Sequence, residues 1–200
     1  MKALLFFVIL FPVFFAVSQR SYADSIQALR LEKQELILGS NKVLKTEELE
    51  KIISLDFFPT DTTWIKMVTF KKDKGKPFEM PTSTDRLPKY RRVGYVYFEH
   101  KGETHQLTLY KNLNLVTAEF KNYYFLPFKD LTSPNESYGA GRYIDIDINL
   151  KKNKEFLVDF NAAYNPYCAY SYRYSCPITP KENHLPIRIE VGEKIPIKLP

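Results

Sequence analysis

Tyr90-Arg91-Arg92-Val93-Gly94-Tyr95-Val96-Tyr97-Phe98-Glu99 is followed by His100-Lys101-Gly102-Glu103, and then by His105-Gln106-Leu107-Thr108-Leu109-Tyr110. In the first run Val93, Tyr95 and Tyr97 fall on one face of an extended chain, and Gly94, Val96 and Phe98 on the other. In the last, Leu107 and Leu109 alternate against Thr108 and Tyr110. A polar tetrapeptide containing glycine lies between them. Together they read as a β-hairpin.

The same period continues on both sides. Trp64–Phe70 is rich in bulky and β-branched residues. Tyr143–Leu150 sets Ile144, Ile146 and Ile148 against Asp145, Asp147 and Asn149, the pattern of a half-exposed antiparallel strand whose carboxylates face water. Glu155–Phe160 and Ile187–Val191 are expected to add two more strands. Six or seven strands with no helices between them predict an antiparallel β-sandwich or barrel.

Ahead of the strands the period changes. From Asp24 to Ser40, Ile26, Leu29, Leu36 and Ile37 stand near helical spacing with Arg30, Glu32, Lys33 and Glu35 between them, and Gly39 with Asn41 offers a stop. Thr46 can cap a second helix that has Glu47 and Glu48 in its first turn and Leu49, Ile52 and Ile53 as its buried stripe. Pro59 closes this region. The expected class is therefore mainly β (α+β), with one or two short N-terminal helices. Residues 24–58 form a helical lead-in, and residues 59–200 a single antiparallel domain.

The first residues read as an address. Met1-Lys2 precedes 15 apolar residues, Ala3 to Val17, with Pro12 among them. A membrane-spanning helix needs about 20, so the charge, the short apolar run and the small residues that follow match a signal peptide over residues 1–23. Ser21-Tyr22-Ala23 places the cut after Ala23, with a cut after Ser18 as the alternative. No cysteine lies near either position, which excludes a lipid anchor there. The expected product is exported, periplasmic or secreted, without stable membrane insertion.

Composition agrees with a globular domain. The chain has 200 residues, 44% of them apolar, 26% charged and 15% aromatic, which excludes a disordered chain and a disulfide-dense miniprotein. Loss of residues 1–23 removes Lys2 and Arg20 and leaves 27 basic against 23 acidic side chains. The basic doublets Lys71-Lys72, Arg91-Arg92 and Lys151-Lys152 are scattered, whereas a nucleic-acid binder needs a concentrated stripe.

Three stretches interrupt the alternation. Phe125-Leu126-Pro127-Phe128-Lys129-Asp130 runs through Thr132-Ser133-Pro134 to Tyr138-Gly139-Ala140-Gly141-Arg142-Tyr143. Asp159-Phe160-Asn161 leads to Tyr164-Asn165-Pro166-Tyr167-Cys168-Ala169-Tyr170. Cys176-Pro177 leads to Pro180-Lys181-Glu182-Asn183. With Phe57-Phe58-Pro59 and Asp61, these segments resemble the domain of unknown function 1684 family (DUF1684) of bacteria and archaea. Leu126 fills a variable place in its first motif, and Pro134 stands where that motif has glycine. The resemblance covers most of the mature chain and implies no established activity.

The residues themselves name the suspects. Arg142 has a fixed fork suited to a carboxylate or phosphate, from a ligand or from within the protein. Asn161, Asn165 and Asn183 either brace loops or orient a ligand. Tyr164, Tyr167, Tyr170, Tyr172 and Tyr174 either line a surface for a flat molecule or fill the core. Arg142, Tyr143, Asn161, Tyr164, Asn165, Glu182 and Asn183 are the candidate ligand-binding set.

Glu182 and Glu136 are candidate acid–base groups for a hydrolase-like alternative with Arg142. Cys168 is a candidate nucleophile if His184 lies beside it. Cys168, Cys176 and His184 recur every eight residues, but this matches no standard zinc pattern, so no metal or cofactor is expected. Cys168 and Cys176, the only two cysteines, are expected to lie close together and to oxidise after export, buried thiols being the alternative. The functional expectation is a binding module for a small polar or anionic molecule in an aromatic-lined pocket. No nucleic acid is expected as a partner.

Overall fold

The computed structural model describes residues 10–39 and 42–199, with side chains from Tyr22 onward. The start of the apolar run, Ala3 to Ile9, lies outside the described residues. The described elements are helices α1 (Leu10–Leu38) and α2 (Thr46–Leu49) and nine strands. These are β1 (Ile52–Ser54), β2 (Ile65–Lys72), β3 (Pro77–Glu79), β4 (Lys89–His100), β5 (Glu103–Asn112), β6 (Tyr123–Phe128), β7 (Arg142–Asp147), β8 (Glu155–Asp159) and β9 (Ile197–Lys198).

The β4–β5 hairpin is the axis of the sheet. His100 pairs with Glu103, and the two residues between them, Lys101 and Gly102, have φ of 51° and 81°. Positive φ at both central positions is the tight turn whose twist matches its strands, and Gly102 adopts it at no steric cost. The register slips once, between Arg92 and Gly94, leaving Val93 as the extra residue of a bulge. Gly94 sits against the neighbouring strand so closely that a Cβ would collide with the Lys71 carbonyl and the Phe70 ring.

Strands add antiparallel on both sides in the order β7-β6-β5-β4-β2-β8, and β3 pairs with the start of β4. The sheet curls into a half barrel. The mainly β, α+β class expected from the sequence is thus observed, with β7 and β8 as the two ends of the strand path. Its main core holds Val96 and Phe98 of β4, Leu107 and Leu109 of β5, Leu126 and Phe128 of β6, and Ile144 and Ile146 of β7, with Phe160 and Ile189 plugging the middle. Each such side chain contributes about 1.5–3 kcal/mol when fully buried. Tyr90, Tyr110, Phe125 and Tyr143 form a second cluster with Met80. Thr108 and Tyr110 are thus as buried as the leucines they alternate with.

Three expectations change. The first helix is one continuous element through Leu38, longer than the short helix that the spacing predicts. The second is a single turn with Lys45 at its cap position, so Thr46 is its first residue rather than its cap. Ile52 and Ile53 leave it for β1, where Ile52 is buried and Ile53 exposed. Among the described residues no helix is long and apolar enough to cross a membrane.

The third change concerns Ile187–Val191, which forms no strand. Its backbone is used by a side chain instead. Arg142 is wholly buried and donates to the carbonyls of Ile189 (2.8 Å), Val191 and Glu193 (3.3 Å). Asp130 accepts from the same guanidinium at 3.2 Å and from the Ile189 amide at 2.7 Å. Carbonyls at every second residue of an extended segment are engaged in this way, so no partner strand is needed to satisfy them.

A buried pair broken on one side leaves an uncompensated charge, which costs about 3–5 kcal/mol. Urea denaturation of Arg142→Ala should therefore show a loss of that size. Arg188→Ala, which breaks only the exposed pairs with Glu136 and Glu190, should change stability by less than about 1 kcal/mol.

Candidate functional site

A hollow of about 450 Å³ lies beside the motif segments. One wall is α1, through Leu29, Arg30, Lys33 and Leu36. The opposite wall is the run from Asn161 to Tyr167, with Tyr143 and Asp145 of β7 between them, and Cys176 and Glu193 at the edges. The Asn161–Tyr167 wall is fixed to the sheet. Tyr143 and Tyr164 exchange both backbone hydrogen bonds, at 2.9 and 3.0 Å, which covers the outer edge of β7.

Lys33 is the central charge. Its ammonium lies 4.3 Å from the centre of the Tyr164 ring, 3.3 Å from the Asn165 carbonyl and 3.9 Å from a Glu193 carboxylate oxygen. Burial lowers the lysine pKa, opposed by Glu193. Burial raises that of Glu193, which also accepts from the Asn165 amide at 2.8 Å and from the Tyr170 hydroxyl. Asp145 accepts from the Tyr164 hydroxyl at 2.9 Å and the Tyr123 hydroxyl at 2.6 Å. Tyrosine hydroxyls bound to carboxylates in this way stay protonated, and burial is the main reason their pKa values rise.

Of the seven suspected binding residues, Tyr143, Asn161, Tyr164 and Asn165 line this hollow, whereas Arg142, Glu182 and Asn183 do not. Asn183 is an architectural amide. Thr108 of β5 lies opposite Pro127 of β6, which has no N–H for the ladder, and the Asn183 side chain fills the gap. It accepts from the Thr108 amide (2.8 Å) and donates to the carbonyls of Thr108 (2.9 Å) and Pro127 (2.6 Å). Glu182 is exposed and accepts from the Tyr110 hydroxyl at 2.7 Å. Glu136 is half-buried and pairs with Arg188. Neither acid reaches Arg142, whose partners are all internal.

The asparagines differ in what they leave open. Asn161 is fully engaged: its side chain bonds the amide and carbonyl of Asp61, each at 2.9 Å, and the Asp159 carboxylate. Asn165 is not. Its Nδ2 is fixed on the Lys194 carbonyl at 2.7 Å, which sets the amide's orientation, yet its Oδ1 is buried with no hydrogen-bond partner among the described residues.

Cys168 and Cys176 lie side by side as free thiols, with the Cys168 amide 3.3 Å from the Cys176 sulfur. The Cys176 thiol donates to the Cys168 sulfur and holds the Cys168 pKa down at about 6; the same bond, with burial, pushes Cys176 well above the usual thiol range. The His184 ring lies 3.3 Å from the Thr179 carbonyl, whereas the Cys168 sulfur accepts from the Cys176 thiol and the Tyr138 hydroxyl. Among the described residues no group of three or more His, Cys, Asp or Glu is placed to hold a metal ion.

Lys33 and Glu193 were the residues least visible in the sequence. A signal for Lys33 exists, because Ile26, Leu29, Lys33 and Leu36 follow one helical face. A lysine inside that stripe is a stem packed on apolar neighbours with its charge held near them. Glu193 carries a signal as well, since it stands in the phase of Ile187, Ile189, Val191, Ile195 and Ile197, where the alternation otherwise places apolar residues.

The DUF1684 family model, described as a protein of unknown function, matches residues 51–194. Among solved structures, an uncharacterised protein of Haloarcula marismortui determined in solution by NMR is 29% identical. The likeness covers 88% of this chain and 96% of that one, with a TM-score of 0.66. No curated protein matches the chain.

The thiol pair gives a direct check. After reduction, iodoacetamide should modify Cys168 with a rate that rises through a midpoint near pH 6. Cys176 should stay unmodified in the folded protein, as read by peptide mass spectrometry. A midpoint in the ordinary thiol range would contradict the hydrogen-bonded arrangement.

Proposed function

The chain belongs to the DUF1684 family, and from that premise and the geometry of the hollow we propose that it is an exported binding protein for a small amphipathic molecule with a polar end. The observation that carries this reading is the orphaned Oδ1 of Asn165. A buried acceptor without a donor costs about 1–3 kcal/mol, and this one belongs to the lining of a hollow of about 450 Å³. A hydroxyl or N–H group of a ligand supplies the missing donor. Leu29, Leu36 and the rings of Tyr164 and Tyr167 offer an apolar bed for the rest of the molecule.

Of the polar and anionic ends that the sequence allows, the polar one fits better. Glu32, Asp145 and Glu193 outnumber Lys33 and Arg30 along the lining, and Lys33 already faces Glu193. The acid–base alternative has less to support it, since Glu182 and Glu136 lie outside this hollow and Arg142 has no donor directed into it.

Export fits the same picture. Leu29, Arg30, Lys33 and Leu36 all follow Ala23, so either cut leaves the α1 wall on the mature protein. A cut after Ser18 also retains the Tyr22 hydroxyl, which donates to Asp159 at 2.7 Å; a cut after Ala23 removes it. N-terminal sequencing of protein recovered outside the cytoplasm should begin at Asp24, and a retained Met1 in the membrane fraction would overturn export.

Binding is tested by exposing the purified protein to a host extract and identifying retained small molecules by native mass spectrometry. Wild type is expected to retain a defined species with an apolar body and a hydroxyl or amine group. Leu29→Trp, at a half-exposed position on the rim, and Lys33→Met should each reduce its retention at least about tenfold, the loss of about one hydrogen bond or one well-packed contact. Retention unchanged in both variants would remove this hollow from consideration.

A further inference from the structure

A second hollow, of about 500 Å³, lies at the tip of the β4–β5 hairpin, and nothing in the reading above uses it. Its walls come from three places. The hairpin end contributes His100, Lys101, Glu103 and His105, the segment before β2 contributes Asp61, Thr63 and Trp64, and the C-terminal segment contributes Ile187, Arg188 and Glu190. Two of the three histidines of the chain therefore face one cavity.

These histidines are held in different ways. His100 stacks on Trp64 with ring centres 4.3 Å apart and planes 21° from parallel. Lys66 reaches it from below the ring pair: its ammonium is 3.4 Å from the His100 Nδ1 and 5.1 Å from the centre of the Trp64 ring. Burial and the neighbouring Lys66 lower the His100 pKa. The imidazole is therefore neutral, its Nδ1 accepts from the lysine, and its Nε2–H is a donor.

His105 is 93% buried, packs against Phe98 at 5.4 Å and lies 6.4 Å from His100. Its Nε2 has no hydrogen-bond partner among the described residues. A buried imidazole nitrogen in a cavity lining, with nothing to bond, is a place where a polar group from outside gains a full hydrogen bond.

The charge pattern selects the kind of molecule. Three carboxylates (Asp61, Glu103, Glu190) face two cations (Lys101, Arg188), and Arg188 is already paired with Glu190 and Glu136. A strongly charged ligand of either sign would meet as much repulsion as attraction. What the walls offer in abundance is donors and acceptors together: a neutral imidazole N–H, an orphaned imidazole nitrogen, carboxylate oxygens and the Thr63 hydroxyl, beside the apolar surface of Ile187. Hydroxyl groups both donate and accept. We propose that this hollow is a second ligand site, taking a neutral polyhydroxylated ring on the scale of a mono- or disaccharide, with His105 Nε2 and Glu103 as its main polar contacts.

The test reads the histidines directly. Uniformly 15N-labelled protein is titrated with glucose, galactose, mannose, N-acetylglucosamine, maltose and cellobiose. The histidine ring nitrogens are followed by long-range proton–nitrogen correlation, and the Trp64 indole and the Asn165 side-chain amide by one-bond correlation. At least one sugar is expected to shift His105 Nε2 and the Trp64 indole signal saturably while the side-chain amide of Asn165 stays in place. Binding of that sugar should weaken roughly tenfold in Glu103→Gln, as for loss of one hydrogen bond. Glu103 is exposed at the turn, so that variant keeps the fold. His105→Phe, which keeps the ring and removes both nitrogens, should abolish the saturable shift at Trp64.

No response of His105 to any sugar of the panel overturns the proposal. So does a response that Glu103→Gln and a folded His105→Phe both leave unchanged. Titrations with inorganic phosphate and with methylammonium complete the set: a saturable shift with either, in place of the sugars, overturns the neutral class. Because the Asn165 amide reports on the α1 hollow separately, failure here is distinguishable from failure of the binding function proposed there.

Discussion

A guanidinium sealed from water needs protein partners for its N–H groups, and Arg142 finds them for both terminal nitrogens by gathering backbone, its Nε alone having none among the described residues. Its partners are three carbonyls on Ile189, Val191 and Glu193 and the carboxylate of Asp130, which in turn holds the Ile189 amide. The C-terminal segment is thereby fastened across the sheet without a ladder of its own. Ile189 and Val191 are fully buried in the core as a result. Because a lost partner strands a buried charge, the arrangement is all-or-none, and it fixes where residues 187–193 can lie.

Other interruptions of the strand pattern obey the same logic. Pro127 removes an N–H from the ladder between β5 and β6, and Asn183 replaces it with a side-chain amide that bonds both strands. The exposed edge of β7 is covered by the Tyr143–Tyr164 bridge. Asn161 ties the turn at Asp61 to the end of β8. Polar residues between strands are there because backbone groups would otherwise be buried unmet, which is costlier than ordering one side chain.

That logic also explains what could be read from the residues alone. The β4–β5 hairpin was legible because alternation and a Lys-Gly turn are local signals that agree with each other. Strand β6 was not, since Pro127 argues against a strand and only the distant Asn183 makes it tolerable. Ile187–Val191 has the apolar alternation of a strand, but Arg142 takes its carbonyls, and no local pattern encodes that. At the site, Tyr143, Asn161, Tyr164 and Asn165 were grouped by motif and share one hollow. Arg142, Glu182 and Asn183 carry equally polar side chains, yet their partners are internal or on the strand surface. Residue type alone does not separate an amide that braces from one that waits for a partner. The difference between Asn161 and Asn165 is a single satisfied oxygen.

The two hollows are built from shared parts. Asn161 lines the first and Asp61 the second, and the two residues are joined by a pair of hydrogen bonds at 2.9 Å. The segment pinned by Arg142 gives Ile187, Arg188 and Glu190 to one hollow and Glu193 to the other. Trp64 and Phe160, packed edge to face with ring centres 5.8 Å apart, carry the core between them. A shift of the C-terminal segment large enough to reshape either hollow would have to break carbonyl contacts to a buried guanidinium. Close packing makes such shifts discrete rather than gradual. The constraint that stabilises the sheet therefore also fixes the C-terminal walls of both cavities, with Glu193 on the Asn165 backbone amide in one and Ile187, Arg188 and Glu190 along the other.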